Sequence, residues 1–185
     1  MALKLVDLHS SQLDIYLDQL LQQDSSRYNT GGCIKLKGRV ERDKLVHLLT
    51  KIPFYFDSFR MKFDFSDEKP RIHIDDDIQS CSVEEVDFSS SRTACEQAFA
   101  WSQKQFNEPM SIEKSKLLFK FSLLKVSDLE YWIFCKSHHL ICDGFGFTIV
   151  ARYIADAYRD ITSNSNASFS YPQYITEVIN SSAFY

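Results

Sequence analysis

Apolar residues recur along this chain at two different periods. Leu13, Tyr16, Leu17, Leu20 and Leu21 fall at the three- and four-residue spacing of one helical face, with Ser10 or Ser11 as its cap. A polar break over residues 24–30 precedes Cys33, Ile34 and Leu36, which read as a strand ending near Gly38. Leu45, Leu48, Leu49 and Ile52 mark a second helix, which Pro53 should stop because proline lacks the amide a helix needs. Over residues 54–65 the pattern predicts a strand region: Phe59, Met61, Phe63 and Phe65 alternate with Arg60, Lys62 and Asp64. A turn over residues 66–70 and a short strand through Ile72 and Ile74 follow.

A third helix is predicted over residues 89–106, with Cys95, Ala98, Phe99 and Phe106 on one stripe. Leu117, Phe119, Phe121 and Leu123 alternate again, and Ser127-Asp128 reads as a hairpin turn. Residues 131–137 are nearly all apolar, the signature of a central strand covered on both faces. After Asp143-Gly144 a helix should bury Phe147, Val150, Ile154, Ala157, Tyr158 and Ile161. A loop rich in Ser and Asn over residues 162–170 leads to a last short helix over residues 171–184. Helices mixed with short paired strands imply an α/β fold of the α+β type, with helices packed on a mixed, mostly antiparallel sheet.

Composition narrows the function. The 185 residues are 44% hydrophobic and 25% charged, enough for one globular domain with a substantial core. The formal net charge is -4 and no basic stripe exists, which argues against nucleic acid as a partner. No apolar run reaches bilayer length, so no membrane partner is expected. The opening Met1-Ala2-Leu3-Lys4-Leu5 runs at once into Asp7 and does not read as a signal peptide. Five cysteines without a Cys-x-x-Cys pair read as reduced, buried thiols of a cytoplasmic protein.

The chemistry concentrates in residues 137–147, where the central strand meets the amphipathic helix. Adjacent His138 and His139 in a strand must point to opposite faces, so one should enter the core and the other should face out. Asp143, four residues after His139, is placed to cap the helix, and Gly144 permits a tight turn or a close approach by substrate. Imidazole is the side chain suited to taking a proton near neutral pH. Taken on chemistry alone, a His-His pair at a strand end is more often structural than catalytic. A metal is not expected: His138, His139 and Asp143 do not converge, and His9, His47 and His73 are scattered. Asp75-Asp76-Asp77 lacks the alternating ligands, Gly and distal Glu of a calcium loop and reads as a solvated turn. Cys142 reads as a packed thiol rather than a nucleophile.

The pattern His-His-x-x-x-Asp-Gly at residues 138–144 resembles the signature of nonribosomal peptide synthetase condensation domains, members of the chloramphenicol-acetyltransferase-like superfamily. The similarity runs through the whole chain. Residues 11–19, Ser-Gln-Leu-Asp-Ile-Tyr-Leu-Asp-Gln, resemble the family's first helix motif, with its usual Ala-Gln-x-x-Leu-Trp altered. Tyr28-Asn29 with the following strand, residues 56–63, and Phe106-Asn107 followed by Leu117-Leu118-Phe119 are similar to further family segments. Phe145-Gly146-Phe147 departs from the common Trp-Ser-Leu and looks closer to synthetases that begin with a condensation domain.

The resemblance implies roles. His139 would be the catalytic residue, deprotonating or orienting the acceptor amine. His138, Asp143, Gly144 and Arg60 would support it, with Arg60 and Asp143 forming a carboxylate–guanidinium clamp on the loop. The implied reaction is amide formation between an acyl or peptidyl thioester and an aminoacyl thioester. Donor and acceptor carrier proteins bring both on phosphopantetheine arms, and the domain itself binds no cofactor. An epimerisation or ester-forming relative, or a non-catalytic domain that docks carrier proteins, shares the same signature. A complete domain of this family has two similar halves. Residues 1–185 are therefore expected to be the amino-terminal half, inactive alone, with an apolar surface left for the missing second half.

Overall fold

The structure, a computed structural model, describes residues 5–64, 69–78, 80–112, 117–160 and 170–182. The elements run β1 (Val6–Asp7), α1 (Ser10–Leu21), β2 (Asn29–Lys37), α2 (Arg42–Thr50), α3 (Ile52–Tyr55), a 3₁₀ turn (Asp57–Arg60), β3 (Met61–Asp64) and β4 (Arg71–Ile74). There follow β5 (Val83–Asp87), α4 (Ala94–Asn107), β6 (Phe119–Ser127), β7 (Glu130–His138), α5 (Gly144–Tyr158) and α6 (Tyr171–Ser182). Expectations for Phe65, most of the turn at 66–70, Ile161, the loop at 162–169 and Phe184 lie outside the described residues.

The strands form two sheets. The larger has the order β2-β7-β6-β5, and the smaller, wholly antiparallel, has the order β1-β4-β3. In the larger sheet β7 pairs antiparallel with both β2 and β6, and β5 runs parallel to β6. The mixed, mostly antiparallel character is as expected, distributed over two sheets. β7 is the central strand, and both of its faces are covered. On one face Trp132 and Phe134 pack with Leu124 and Val126 against Ala94 and Ala98 of α4. On the other, Ile133 and Cys135 join a larger core with Leu45 and Leu49 of α2 and Val150 and Ile154 of α5. Each large side chain here, such as Phe134, Ile133 or Leu45, contributes about 1.5–3 kcal/mol on removal from water, so the apolar run of β7 is what anchors the fold.

Several expectations are corrected. α1 is a helix where predicted, but it is turned: Gln12, Tyr16 and Gln19 face inward, and Leu13, Leu17 and Leu21 are exposed. Its cap is His9 rather than Ser10 or Ser11; the His9 side chain accepts from the Ser11 amide while Gln12 Oε1 accepts from the His9 amide at 3.1 Å. Pro53 stops α2 but opens α3, since a proline in the first turn has no partner to lose. The strand predicted from residue 54 therefore begins only at Met61, after a 3₁₀ turn that buries Phe59 against Phe119 and Phe121. In α4 the inward stripe is Ala94, Ala98 and Ser102, with Cys95 and Phe99 exposed. Small residues bring this helix close to the large rings of β7; Trp101 meets Phe134 edge-on, with ring centroids 5.4 Å apart. Cys33 is exposed as well, so only Cys81, Cys135 and Cys142 are the buried thiols foreseen.

The C-terminal end of α4 is tied directly to the sheet. Lys136, buried on β7, donates to the carbonyls of Gln105 at 2.7 Å and Glu108 at 2.9 Å. Asn29 at the start of β2 donates to Phe106 O and Glu108 O. Carbonyls left without helical partners accept these donors, and a cation suits the negative end of the helix. Asn29 is also the register partner of His138, so this anchor ends at the residue pair of interest.

Candidate active site

β7 ends at His138, and residues 139–142 turn back into α5. The turn is held by the backbone of His138: its carbonyl accepts from Ile141 N at 3.0 Å and Cys142 N at 3.3 Å. The His139 amide donates to Tyr28 O at 2.8 Å. The two histidines separate, the first at the last position of the strand and the second on the turn. His138 is 1% exposed, whereas His139 is an exposed residue between buried neighbours.

His138 is surrounded by defined partners. Its Nδ1 accepts from the Leu140 amide at 3.1 Å, and its Nε2 lies 3.4 Å from Gln19 Oε1. Burial, with a smaller contribution from the charge of His139, pushes its pKa down to about 4, so the ring is neutral at physiological pH. Burial likewise pushes the Cys142 thiol up to about 11, outweighing its hydrogen bond with Ser137. Cys142 is thus a packed, protonated thiol.

Asp143 is the N-cap of α5, as its place before the apolar helix suggested. Its Oδ1 accepts from the Gly146 amide at 2.6 Å. A carboxylate here satisfies an orphan amide and meets the positive end of the helix. The pairing of Arg60 with Asp143 that the resemblance implied is not formed. Arg60 Nη1 donates instead to Asp76 Oδ1 at 2.8 Å, and its Nε is buried with no hydrogen-bond partner among the described residues. The reason is local on both sides. Asp75 donates its amide to Arg60 O, which brings Asp76 beside the guanidinium, while Asp143 sits nearest the free amides of its own helix. The acidic run at 75–77 is a turn, with Asp77 N donating to Asp75 Oδ1. Among the described residues no group of three or more His, Cys, Asp or Glu is arranged to hold a metal ion.

Gly144 does not adopt a left-handed backbone, and a side chain there would stand in open space. Gly146 is the confined glycine: an added Cβ would lie 3.1 Å from Cys142 Sγ and 3.2 Å from Asp143 Oδ1. Beyond them Phe145 and Ile149 stand on α5 one turn apart, 75% and 46% exposed. The site is therefore a single wall: an open imidazole, a capped helix start and an apolar flank. A shallow hollow nearby is lined by Gln19, Leu20, Gln23, Ser111 and Ile112, and His139 is not among them. Gln12 and Gln19, the polar inward face of α1, were missed from sequence; their seven-residue spacing around Tyr16 was the available signal.

A family model described as "Condensation domain" matches residues 3–183, and the chain belongs to that family. It is 31% identical to a plipastatin synthase subunit of Bacillus subtilis (strain 168) over 153 residues, which is 82% of this chain and 6% of that protein. Enterobactin synthase component F of Escherichia coli (strain K12) is 24% identical over 151 residues, covering 82% of this chain and 12% of the synthase. Among solved structures, a mutant starter condensation domain of rhizomide synthetase in a "product-released" conformation matches with a TM-score of 0.77 and 25% identity, covering 83% of this chain and 35% of that one. The first condensation domain of the CDA synthetase has the same fold, with a TM-score of 0.74 at 19% identity over 86% of this chain and 42% of that one. The chain spans less than half the length of each of these relatives. No helix among the described residues is long and apolar enough to cross a membrane.

Proposed function

We propose that this chain supplies the histidine-bearing wall of a site that joins an acyl or peptidyl thioester to an aminoacyl thioester, both carried on phosphopantetheine arms of carrier proteins. The observation that carries this reading is the exposed ring of His139, standing on a turn pinned at each neighbouring residue, in a chain of the condensation family. Another mutant of the rhizomide starter condensation domain has been solved in complex with C8-CoA and Leu-SNAC, and we carry that pairing of acyl and aminoacyl ligands to this chain. In this reading the chain is the amino-terminal half of a two-part domain, and the other half contributes the facing wall.

The acceptor's amine attacks the thioester carbonyl, forming a C–N bond and a tetrahedral oxyanion. The oxyanion collapses, the C–S bond breaks, and the thiol leaves with a proton that originates on the amine. His139 either takes that proton or orients the amine and stabilises the charged intermediate. The open side of Gly144 lets the developing oxyanion approach a backbone amide at the start of α5, where the helix dipole favours negative charge. Phe145 and Ile149 flank this approach with apolar surface. No acyl-enzyme is needed, in keeping with the protonated Cys142 thiol.

The test uses the protein that contains this chain together with acyl- and aminoacyl-loaded carrier proteins. His139→Ala is expected to reduce amide formation by about 100-fold or more while carrier binding is retained. Undiminished product from the variant would exclude His139 as the reacting group and leave docking as the role of the fold. The isolated 185-residue chain is expected to form no amide.

A further inference from the structure

We propose that Gln19, with Gln12, is a positioning residue for His139: the polar inward face of α1 fixes the His138 ring as its Nε2–H tautomer and so sets the turn on which His139 stands. The inference rests on the reading of His139 as the reacting group, and its structural part stands without it.

The tautomer follows from the donors. Gln19 Nε2 donates to three carbonyls, Gln22 O at 2.8 Å, Ser25 O at 3.3 Å and Gln23 O at 3.4 Å. Carbonyls only accept, so the amide is oriented and Oε1 is the atom left facing His138 Nε2 at 3.4 Å. At the other ring nitrogen, Nδ1 accepts from Leu140 N and must be unprotonated. The neutral ring therefore carries its proton on Nε2, pointing at Gln19. Gln12 works in the same direction one residue further on. Its Oε1 accepts from His9 N, and its Nε2 donates to Leu140 O at 2.7 Å. Both backbone groups of Leu140 are thus committed, the amide to His138 and the carbonyl to α1.

These contacts explain why α1 is turned with leucines outward. Gln12 is 6% and Gln19 3% exposed, and a buried amide costs about 1–3 kcal/mol unless its hydrogen bonds are made. Both are satisfied by the capping residues of α1 itself and by the turn after β7. Leucines facing inward would bury comparable area but leave Leu140 O and the His138 Nε2–H without partners. The ring of His139 is exposed and has no hydrogen bond of its own among the described residues. Its direction is therefore set by its backbone, which Tyr28 O, His138 and Leu140 hold.

The experiment is long-range 1H–15N NMR of the histidine rings in the full chain, compared with Gln19→Met and Gln19→Glu. Wild-type His138 is expected as the Nε2–H tautomer. Gln19→Met, similar in length but without an acceptor, should lose that single tautomer and speed exchange of the Leu140 amide at least tenfold, while Leu124 and Phe134 amides stay protected. Gln19→Glu, which keeps an acceptor, should restore the Nε2–H form. An Nδ1–H signal in the wild-type chain overturns the proposal whether or not the variants fold. So does Gln19→Met with an unchanged tautomer and unchanged Leu140 protection. Full amide-forming activity of His139→Ala would instead remove the catalytic reading and leave these signals as they are.

Discussion

Gly31→Ala is expected to destabilise the chain by about 3–5 kcal/mol, lowering its thermal midpoint by roughly 10 °C, while Gly32→Ala changes it little. Gly31 sits on β2 opposite Lys136 with φ at 131°, a region that L side chains rarely adopt. An added Cβ would fall 2.2 Å from the Cys135 carbonyl oxygen. That atom belongs to the central strand, packed on both faces, so it has nowhere to move. At Gly32 an added Cβ meets nothing within 4 Å, which makes the neighbour a control for general loss of glycine. Thermal unfolding followed by circular dichroism separates the two. Equal midpoints would show that β2 slides to accept the methyl group, contrary to the tight approach of β2 to β7 at this position.

The second large effect is acid sensitivity. His138 titrates at about 4 in the folded chain, depressed mainly by burial and further by His139. In an unfolded chain an ordinary histidine titrates near 6.5. Above the unfolded value both states are neutral and His138 adds no pH dependence. As pH falls through the interval, the unfolded chain takes up a proton that the fold refuses, so stability declines. The loss reaches roughly 3 kcal/mol once pH is below the folded value. Denaturant titrations between pH 7.5 and 4 should show this slope, and His138→Gln should flatten it by that amount. Identical slopes for the two proteins would mean that His138 is not buried as a neutral ring.

The sequence disclosed β7 and the turn after it clearly, because the unbroken apolar run from Tyr131 to Cys135 is short and shows no helical period, which leaves few alternatives to a central strand. It also disclosed that one of His138 and His139 would be buried and the other open, though parity did not say which, and the capping position of Asp143. It misjudged α1 because apolar period and burial part company there: the leucines have helical spacing, yet the buried face is the one with hydrogen-bonding work at the turn. It misjudged residues 54–60 because alternation from Phe59 onward was extended backwards through a segment that Pro53 had started as a helix. α4 was misread because alanines, carrying little hydrophobic weight, form its inner stripe against large rings. The partner of Arg60 was not legible at all: a guanidinium states that it wants a carboxylate, and the fold offered Asp76 before Asp143.

Everything proposed for the site depends on one imidazole being sealed and its neighbour being offered. Carbethoxylation with diethyl pyrocarbonate, located residue by residue by mass spectrometry, reads this in the native chain. His139 is expected to react at the rate of an open histidine, and His138 at least about 100-fold more slowly until the chain is unfolded, since its ring is inside the packing. Equal rates at the two positions, or faster reaction at His138, would contradict the account.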